Sequence, residues 1–395
     1  MNTSGAIVYD AAIVGGGPVG LATALALQQA GFRVALIERG AEPAPYRPEI
    51  HDARVYAIAP ESARFLDRLG VWPAIAATRI SPYSAMRVWA REPAQALAFD
   101  AADAGAAQLG WIVEHGLILA CAWSRLEAVD CWLHAPIEAI LLPQADGEIG
   151  ELHLEGAVVR ARLIVAADGA DSQLRELAGI ETIAWSYPQR ALICHIRTER
   201  EHGETAYQRF LPSGPLALLP LADGGCSIVW SADTALADEL MALDDAAFRA
   251  RLGAASQGVL GEILAATPRS AVPLRLLHAR EYVRPGLVLI GDAAHAIHPL
   301  AGQGVNLGFA DAAQLSTTLV AARAAGRDGT SLRTLARYAR ARKAANLEML
   351  ALTDTLYRSF RIRLPGIRTA LGLGLEGVDR LGPLKELLMR QAASA

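Results

Sequence analysis

Three glycines, Gly15, Gly17 and Gly20, stand in the spacing G-x-G-x-x-G between an apolar run, Tyr9 to Val14, and an Ala/Leu-rich stretch that reads as helix to Ala30. Between a strand and a helix each has a separate task. The first permits the tight turn, the second lets a pyrophosphate approach the backbone, and the third lets helix and strand pack closely. The helix N-terminus, worth roughly half a positive charge, then faces the diphosphate. Glu38 ends the following strand, Arg33 to Glu38, at the distance where an acidic side chain hydrogen-bonds a ribose hydroxyl. The chemistry indicated is binding of an adenine dinucleotide, and NAD and FAD fit this fingerprint equally.

Two further acidic turns follow buried-type strands. Asp168-Gly169 ends Leu163 to Ala167, and Gly291-Asp292 ends Leu287 to Ile290. His295 and His298 invite a metal reading, because two histidines three apart could share a helix face. No carboxylate or third histidine completes a ligand set at recognisable spacing, so no metal is expected.

The elements that position these residues need more than one core. At 395 residues the chain exceeds the usual size of a single core, which predicts a large domain and a smaller one. A hydrophobic fraction of 52% and a charged fraction of 20% are those of a packed globular enzyme. A formal net charge of -4 offers no basic field for repeated phosphate contacts, so nucleic acid is not an expected partner. Only Lys343 and Lys385 are lysines, which excludes a P-loop and disfavours Schiff-base chemistry. Four cysteines, Cys121, Cys131, Cys194 and Cys226, form no CxxC pair and read as reduced, mostly buried thiols of a cytosolic protein. Met1 to Asp10 lacks the pattern of a leader, and no run reaches about 18 apolar residues, which disfavours secretion and membrane spanning.

Along the chain, Tyr9 to Glu38 reads as one βαβ unit. The pattern changes to short alternating stretches at Met86 to Phe99 and Ala191 to Ser231, which predicts an antiparallel sheet in a second domain. From Leu332 the sequence is helical, and Met349, Leu352, Leu356 and Phe360 fall on one stripe. Pro365-Gly366 breaks that helix, and Leu384, Leu387 and Leu388 mark another after the Gly-rich segment Leu371 to Leu375. The expected division is residues 1–79, 101–180 and 281–345 in the dinucleotide domain, 80–100 and 181–280 in the sheet domain, and 346–395 as a helical region.

Val165-Ala-Ala-Asp168-Gly169-Ala-Asp-Ser172-x-x-Arg175 and Gly291-Asp292-Ala-Ala-His295-Ala-Ile-His298-Pro299-Leu-Ala-Gly302-Gln303-Gly304-Val305-Asn306-Leu-Gly308 resemble the DG and GD motifs of single-component flavin aromatic hydroxylases. Within that class, Tyr207 to Pro220, Val229-Trp230-Ser231 and Tyr338 to Lys343 are similar to the ubiquinone-biosynthesis hydroxylases. The likeness runs from about Tyr9 to Phe360.

The resemblance implies an α/β fold: a Rossmann-type FAD-binding domain, an inserted antiparallel β-sheet that roofs the substrate, and C-terminal helices. It implies FAD as cofactor, held at Gly15, Gly17, Gly20, Glu38, Arg54, Asp168, Gly169, Gly291, Asp292, Gly304, Val305 and Asn306. Asp292 would accept from ribityl hydroxyls, and Arg54, in Asp52-Ala53-Arg54, would lie near the isoalloxazine. Backbone groups of Pro299, Gly302, Gln303 and Gly304 would line the flavin's reactive face. The implied reaction is hydroxylation of a polyprenylated phenol or quinol with NAD(P)H and O2, through a flavin hydroperoxide. Implied partners are that hydrophobic aromatic substrate, other ubiquinone-biosynthesis proteins and the inner face of a membrane, touched peripherally from the cytoplasm. The arginines after Leu347, among them Arg358, Arg363, Arg368 and Arg380, suit lipid phosphates or an acidic partner.

One stretch departs from the family. Where it shows an Asn-Arg pair and then a flavin-contacting glutamine, this chain has His115-Gly116 and Leu119, and leucine donates no hydrogen bond. Two other readings stay open at this point: a hydroxylase of a small soluble aromatic, and a flavin-binding accessory subunit without turnover.

Overall fold

Val8–Val14 is apolar almost throughout, as a strand covered on both faces must be, and Ala11, Ala12 and Ile13 are at most 1% exposed. In the structure, a computed structural model describing residues 7–297 and 304–361, this strand is central to a parallel sheet. It pairs in parallel with Val34–Ile37 on one side and Ala157–Ala166 on the other, and the sheet extends to Val129–Trp132 and Leu287–Leu289. An antiparallel hairpin, Ile137–Leu141 and Gly150–Leu154, continues from Ala157–Ala166. The helix Pro18–Gln29 is apolar all round because it is enclosed, packing on the sheet, on helix His115–Trp123 and on helix Gly304–Ala324.

The second sheet is nine-stranded. Its centre is Thr182–Thr198, flanked by Cys226–Asp233 and Ser270–Ala279, all antiparallel. Alternation divides its faces. Leu192, Cys194, Ile196, Ile228 and Trp230 point to a core with Leu240, Phe248 and Leu252 of two covering helices, Thr234–Ala242 and Asp245–Ser256. The opposite face carries Tyr187, Ala191 and Val229, which join Leu274, Leu276, Leu350 and Ile297. That face looks toward the first domain, because Ile297 lies just beyond Gly291-Asp292. One pair breaks the antiparallel pattern: Thr205–Leu211 runs parallel to Ala85–Trp89, since the chain reaches that edge by a crossover from the dinucleotide domain.

A third sheet, Val55–Ile58, Gly110–Glu114 and Ser81–Tyr83, lies beside the junction. Helix Leu332–Arg361 begins where the sequence indicates and runs unbroken through the expected boundary at 345/346. Its Met349 packs with Leu307, and its Leu350 with the inner sheet face. Two expectations need correction. Cys194 and Cys226 are buried, but Cys121 is half-buried and Cys131 exposed, because Val129–Trp132 is an edge strand. His295 is on no helix; it leaves the Gly291–Ala293 turn in a short strand paired with His278. Pro299, Gly302, Gln303, His298 and everything beyond Arg361 lie outside the described residues.

Candidate functional site

The glycine turn separates into three demands. Gly15 has φ +109, and a Cβ there would stand 2.3 Å from the Ala167 carbonyl oxygen, so both torsion and space require glycine. A Cβ at Gly20 would stand 1.9 Å from the Gly15 carbonyl oxygen, which is the close helix-to-strand approach. Gly17 has an ordinary φ of -73, and among the described residues a Cβ would meet nothing within 4 Å. Its glycine therefore keeps space clear in front of the Pro18–Gln29 N-terminus. That helix has no side-chain cap, which leaves its first N–H groups for an anion.

Glu38 is anchored from both sides. Oε2 accepts from the Gly16 N–H at 2.6 Å and Oε1 from the Gly40 N–H at 2.8 Å. Each oxygen has a second lone pair, so the carboxylate is oriented by the turn it serves and retains capacity for a hydroxyl donor.

Asp168 is occupied locally. Its Oδ1 accepts from Ser172 Oγ at 2.6 Å and its Oδ2 from the Leu174 N–H at 3.1 Å, which organises the start of helix Gln173–Leu177. Gly169, at φ +83, turns the chain there. Buried Arg175 then spans the two acidic turns, donating to the carbonyls of Ala170 and Ala293.

Gly291, at φ +57, opens the tight turn Gly291–Ala293. The half-buried Asp292 carboxyl makes no hydrogen bond among the described residues. Burial raises its pKa, against the pull of His295, Arg54 and Arg275. A desolvated acceptor with cations nearby suits a ligand bearing hydroxyl donors. Arg54 is exposed, its guanidinium 5.1 Å from the Tyr56 ring centroid. Asn306 spends its side chain on the protein: Oδ1 accepts from the Ala59 N–H at 3.0 Å and Nδ2 donates to the Ala57 carbonyl at 2.8 Å. Gly304 and Val305, ahead of it, begin the helix and are half-buried.

The departure from the family is built into local geometry. Gly116 donates its N–H to Asp52 Oδ2 at 2.8 Å, and a Cβ there would come within 3.2 Å of that oxygen. His115 Nδ1 lies 3.0 Å from Tyr56 Oη, and burial, then Arg54, lowers its pKa. Leu119 is half-buried against the core of the dinucleotide domain.

Several site-forming contacts have no sequence motif. Asp52 Oδ1 accepts from the Arg54 N–H, its own N–H donates to buried Glu114, and its carbonyl accepts from His195 Nε2 at 2.9 Å. Glu114 also accepts from Arg79 and Tyr46. The loop that carries Arg54 is thereby fixed from the third sheet and from the nine-stranded sheet. Asp311 and Arg342 were missed as well; the signal for Asp311 was a charged residue inside the apolar run Leu307 to Ala313.

The FAD binding domain family matches residues 8–352. The chain is 42% identical to the 3-demethoxyubiquinol 3-hydroxylase of Escherichia coli (strain K12), over 97% of this chain and 98% of that one. It is 33% identical to the mitochondrial ubiquinone biosynthesis monooxygenase COQ6 of Homo sapiens, over 98% and 92% of the two chains. Among solved structures, p-nitrophenol 4-monooxygenase PnpA from Pseudomonas putida DLL-E4 superposes with a TM-score of 0.77 at 21% identity, covering 98% of each chain, which is a likeness of fold.

Proposed function

The chain belongs to the FAD binding domain family, together with the ubiquinone-biosynthesis hydroxylases it matches, and from that premise we propose that it hydroxylates the ring of a polyprenylated ubiquinone precursor. It is an FAD-dependent hydroxylase that uses NAD(P)H and O2. The observation that carries the substrate class is the 42% identity that extends over nearly the whole of both chains, sheet domain included.

The residues present fit FAD. The clear space at Gly17 and the uncapped helix behind it suit the diphosphate, anchored Glu38 suits the ribose, and Asp292, without a hydrogen bond among the described residues, suits the ribityl hydroxyls. Backbone N–H groups from Gly304 to Asn306 would hold the ring system, and Pro299, Gly302 and Gln303, outside the described residues, are proposed for its reactive side. Asp168 and Gly169 contribute through the loop they shape, and Arg54 is held beside Tyr56 at the ring's edge. FAD held by these residues would supply hydride acceptance from the nicotinamide and activation of oxygen. The protein's part is to hold the ring, exclude water and orient the substrate beside the sheet domain. No side-chain nucleophile is required.

Among the described residues no helix is long and apolar enough to cross a membrane. Access to a bilayer-held substrate is therefore assigned to peripheral contact, or to handover from other biosynthetic proteins, through the arginine-rich region after Leu347.

The test is NAD(P)H oxidation by purified protein, with product mass, against a prenylated methoxyphenol and against a small benzoate. Stimulation by the prenylated ring with gain of one oxygen atom is the expected result. Turnover of the benzoate alone would replace the substrate class.

A further inference from the structure

Asp311 is fully buried in the middle of helix Gly304–Ala324, where an unpaired carboxylate would be costly. All of its acceptor capacity is filled. Oδ2 accepts from the Gly291 N–H at 2.9 Å and from His295 Nε2 at 2.6 Å; Oδ1 accepts from Arg342 Nε at 2.6 Å and from Asn346 Nδ2 at 3.3 Å. Burial alone would push its pKa up, but His295 and Arg342 outweigh burial and hold it below the usual carboxylate value.

The two oxygens face different parts of the fold. One holds the turn that opens with Gly291 and presents Asp292. The other holds the Leu332–Arg361 helix, whose Tyr338 also donates to the carbonyl of Leu289, the last residue of the strand entering that turn. Arg342 bonds Asn346 Oδ1 as well, so its own direction is fixed. Buried ion clusters are a poor source of net stability compared with an apolar core of the same shape, so stability alone does not account for this one. Its contacts bracket the Asp292 turn, at Gly291 before it and His295 after it.

We propose that Asp311 is a positioning residue of the flavin site: braced by Arg342 from the Leu332–Arg361 helix, its carboxylate holds the Gly291 N–H and His295 and so aims Asp292 at the cofactor's polyol chain. The inference rests on the reading of Asp292 as a flavin ligand. It makes the long helix part of the flavin site without a direct contact.

The experiment is a double-mutant cycle on FAD affinity. Apoproteins carrying Asp311→Asn, Asp292→Ala and both changes are titrated with FAD by flavin fluorescence, and their thermal unfolding is followed by circular dichroism. Asp311→Asn is expected to weaken FAD about tenfold in the native background and by less than about threefold in the Asp292→Ala background, because coupled residues are not additive. A purely structural Asp311 would lower unfolding temperature while multiplying the FAD constant equally in both backgrounds, which overturns the inference and leaves Asp292 as a ligand. An Asp292→Ala protein with unchanged FAD affinity would instead remove the flavin-site reading beneath it. Arg342→Gln, which approaches the carboxylate from the far side, is carried through the same cycle, so a failure of the Asp311 variant to fold does not end the test; additivity there counts equally against the proposal.

Discussion

Arg175 donates from Nη1 to the carbonyl of Ala293 at 2.9 Å and from Nη2 to that of Ala170 at 3.0 Å, so one buried guanidinium holds the loop after Asp168 against the turn around Asp292. Burial lowers its pKa, while Asp168 and Glu176 support its charge. The two acidic motifs, more than a hundred residues apart in sequence, are one mechanical unit. Arg175→Met keeps the stem and removes both bonds. It is expected to cost about 2 to 3 kcal/mol of stability, the range for charged hydrogen bonds whose partners are left buried, and to loosen FAD. Urea unfolding of the apoprotein and FAD titration measure the two effects, and no loss in either would detach Arg175 from the site.

The glycine turn predicts opposite phenotypes at two positions three residues apart. Gly17→Val enters clear space and should give folded, colourless protein, whereas Gly20→Ala places a methyl 1.9 Å from a backbone oxygen and should damage folding itself. Absorbance near 450 nm per polypeptide and the unfolding temperature separate them. A yellow, stoichiometric Gly17→Val protein would move the diphosphate elsewhere.

Asp292 provides a stability trade-off with a defined pH sign. Burial raises its folded pKa above the unfolded value, so ionising this carboxyl costs more in the folded apoprotein than in the unfolded chain, and stability is lost as pH rises through the folded pKa. Asp292→Asn should then stabilise the apoprotein at pH 7, and the gain should vanish below the unfolded pKa of about 3.9. The same change should weaken FAD, since a charged acceptor for hydroxyls is lost. Equal stability of the two apoproteins across the pH range would show that burial does not strain this group.

What was legible in the sequence was what backbone geometry dictates locally. The glycine triplet, the strand ends at Asp168 and Asp292, and the helix start at Leu332 each depend on a few consecutive residues. Less legible were contacts made by docking. His195 reaches the Asp52 carbonyl across the domain junction, and Asp52, Glu114 and Arg79 form a polar cluster from three separate segments. Asn306 was readable as a flavin-site residue by resemblance, but its side chain serves the end of strand Val55–Ile58, a pairing that only the tertiary approach of helix to strand creates.

Leu119 tests whether the family departure matters. It is half-buried on helix His115–Trp123, against the core of the dinucleotide domain. Leu119→Gln should supply a donor beside the cofactor and tighten FAD by about 1 kcal/mol, the net worth of a hydrogen bond. Misfolding or weaker FAD would identify Leu119 as a packing residue, its donor replaced by another group.

The region beyond the long helix tests where the enzyme works. A cut after Asn346 would be uninformative, because Met349, Leu350 and Thr353 are buried and their loss would open the core between helix and sheet at about 2 to 5 kcal/mol for each large side chain. A cut after Arg361 spares them and removes Arg363, Arg368, Arg380 and the Leu371 to Leu388 segment. Arginines interspersed with leucines in that sequence suit an anionic lipid surface, with each cation worth about 1 kcal/mol near it. The shortened protein should keep its far-UV circular dichroism, its FAD and its turnover of a short-tailed phenol. It should lose co-sedimentation with phosphatidylglycerol-containing vesicles and turnover of a long-chain polyprenyl phenol. Added salt should mimic the loss of sedimentation in the full chain, because surface charges are screened within about 8 Å at physiological ionic strength. Unchanged sedimentation and unchanged long-chain turnover in the shortened protein would place the route to the bilayer elsewhere on the molecule.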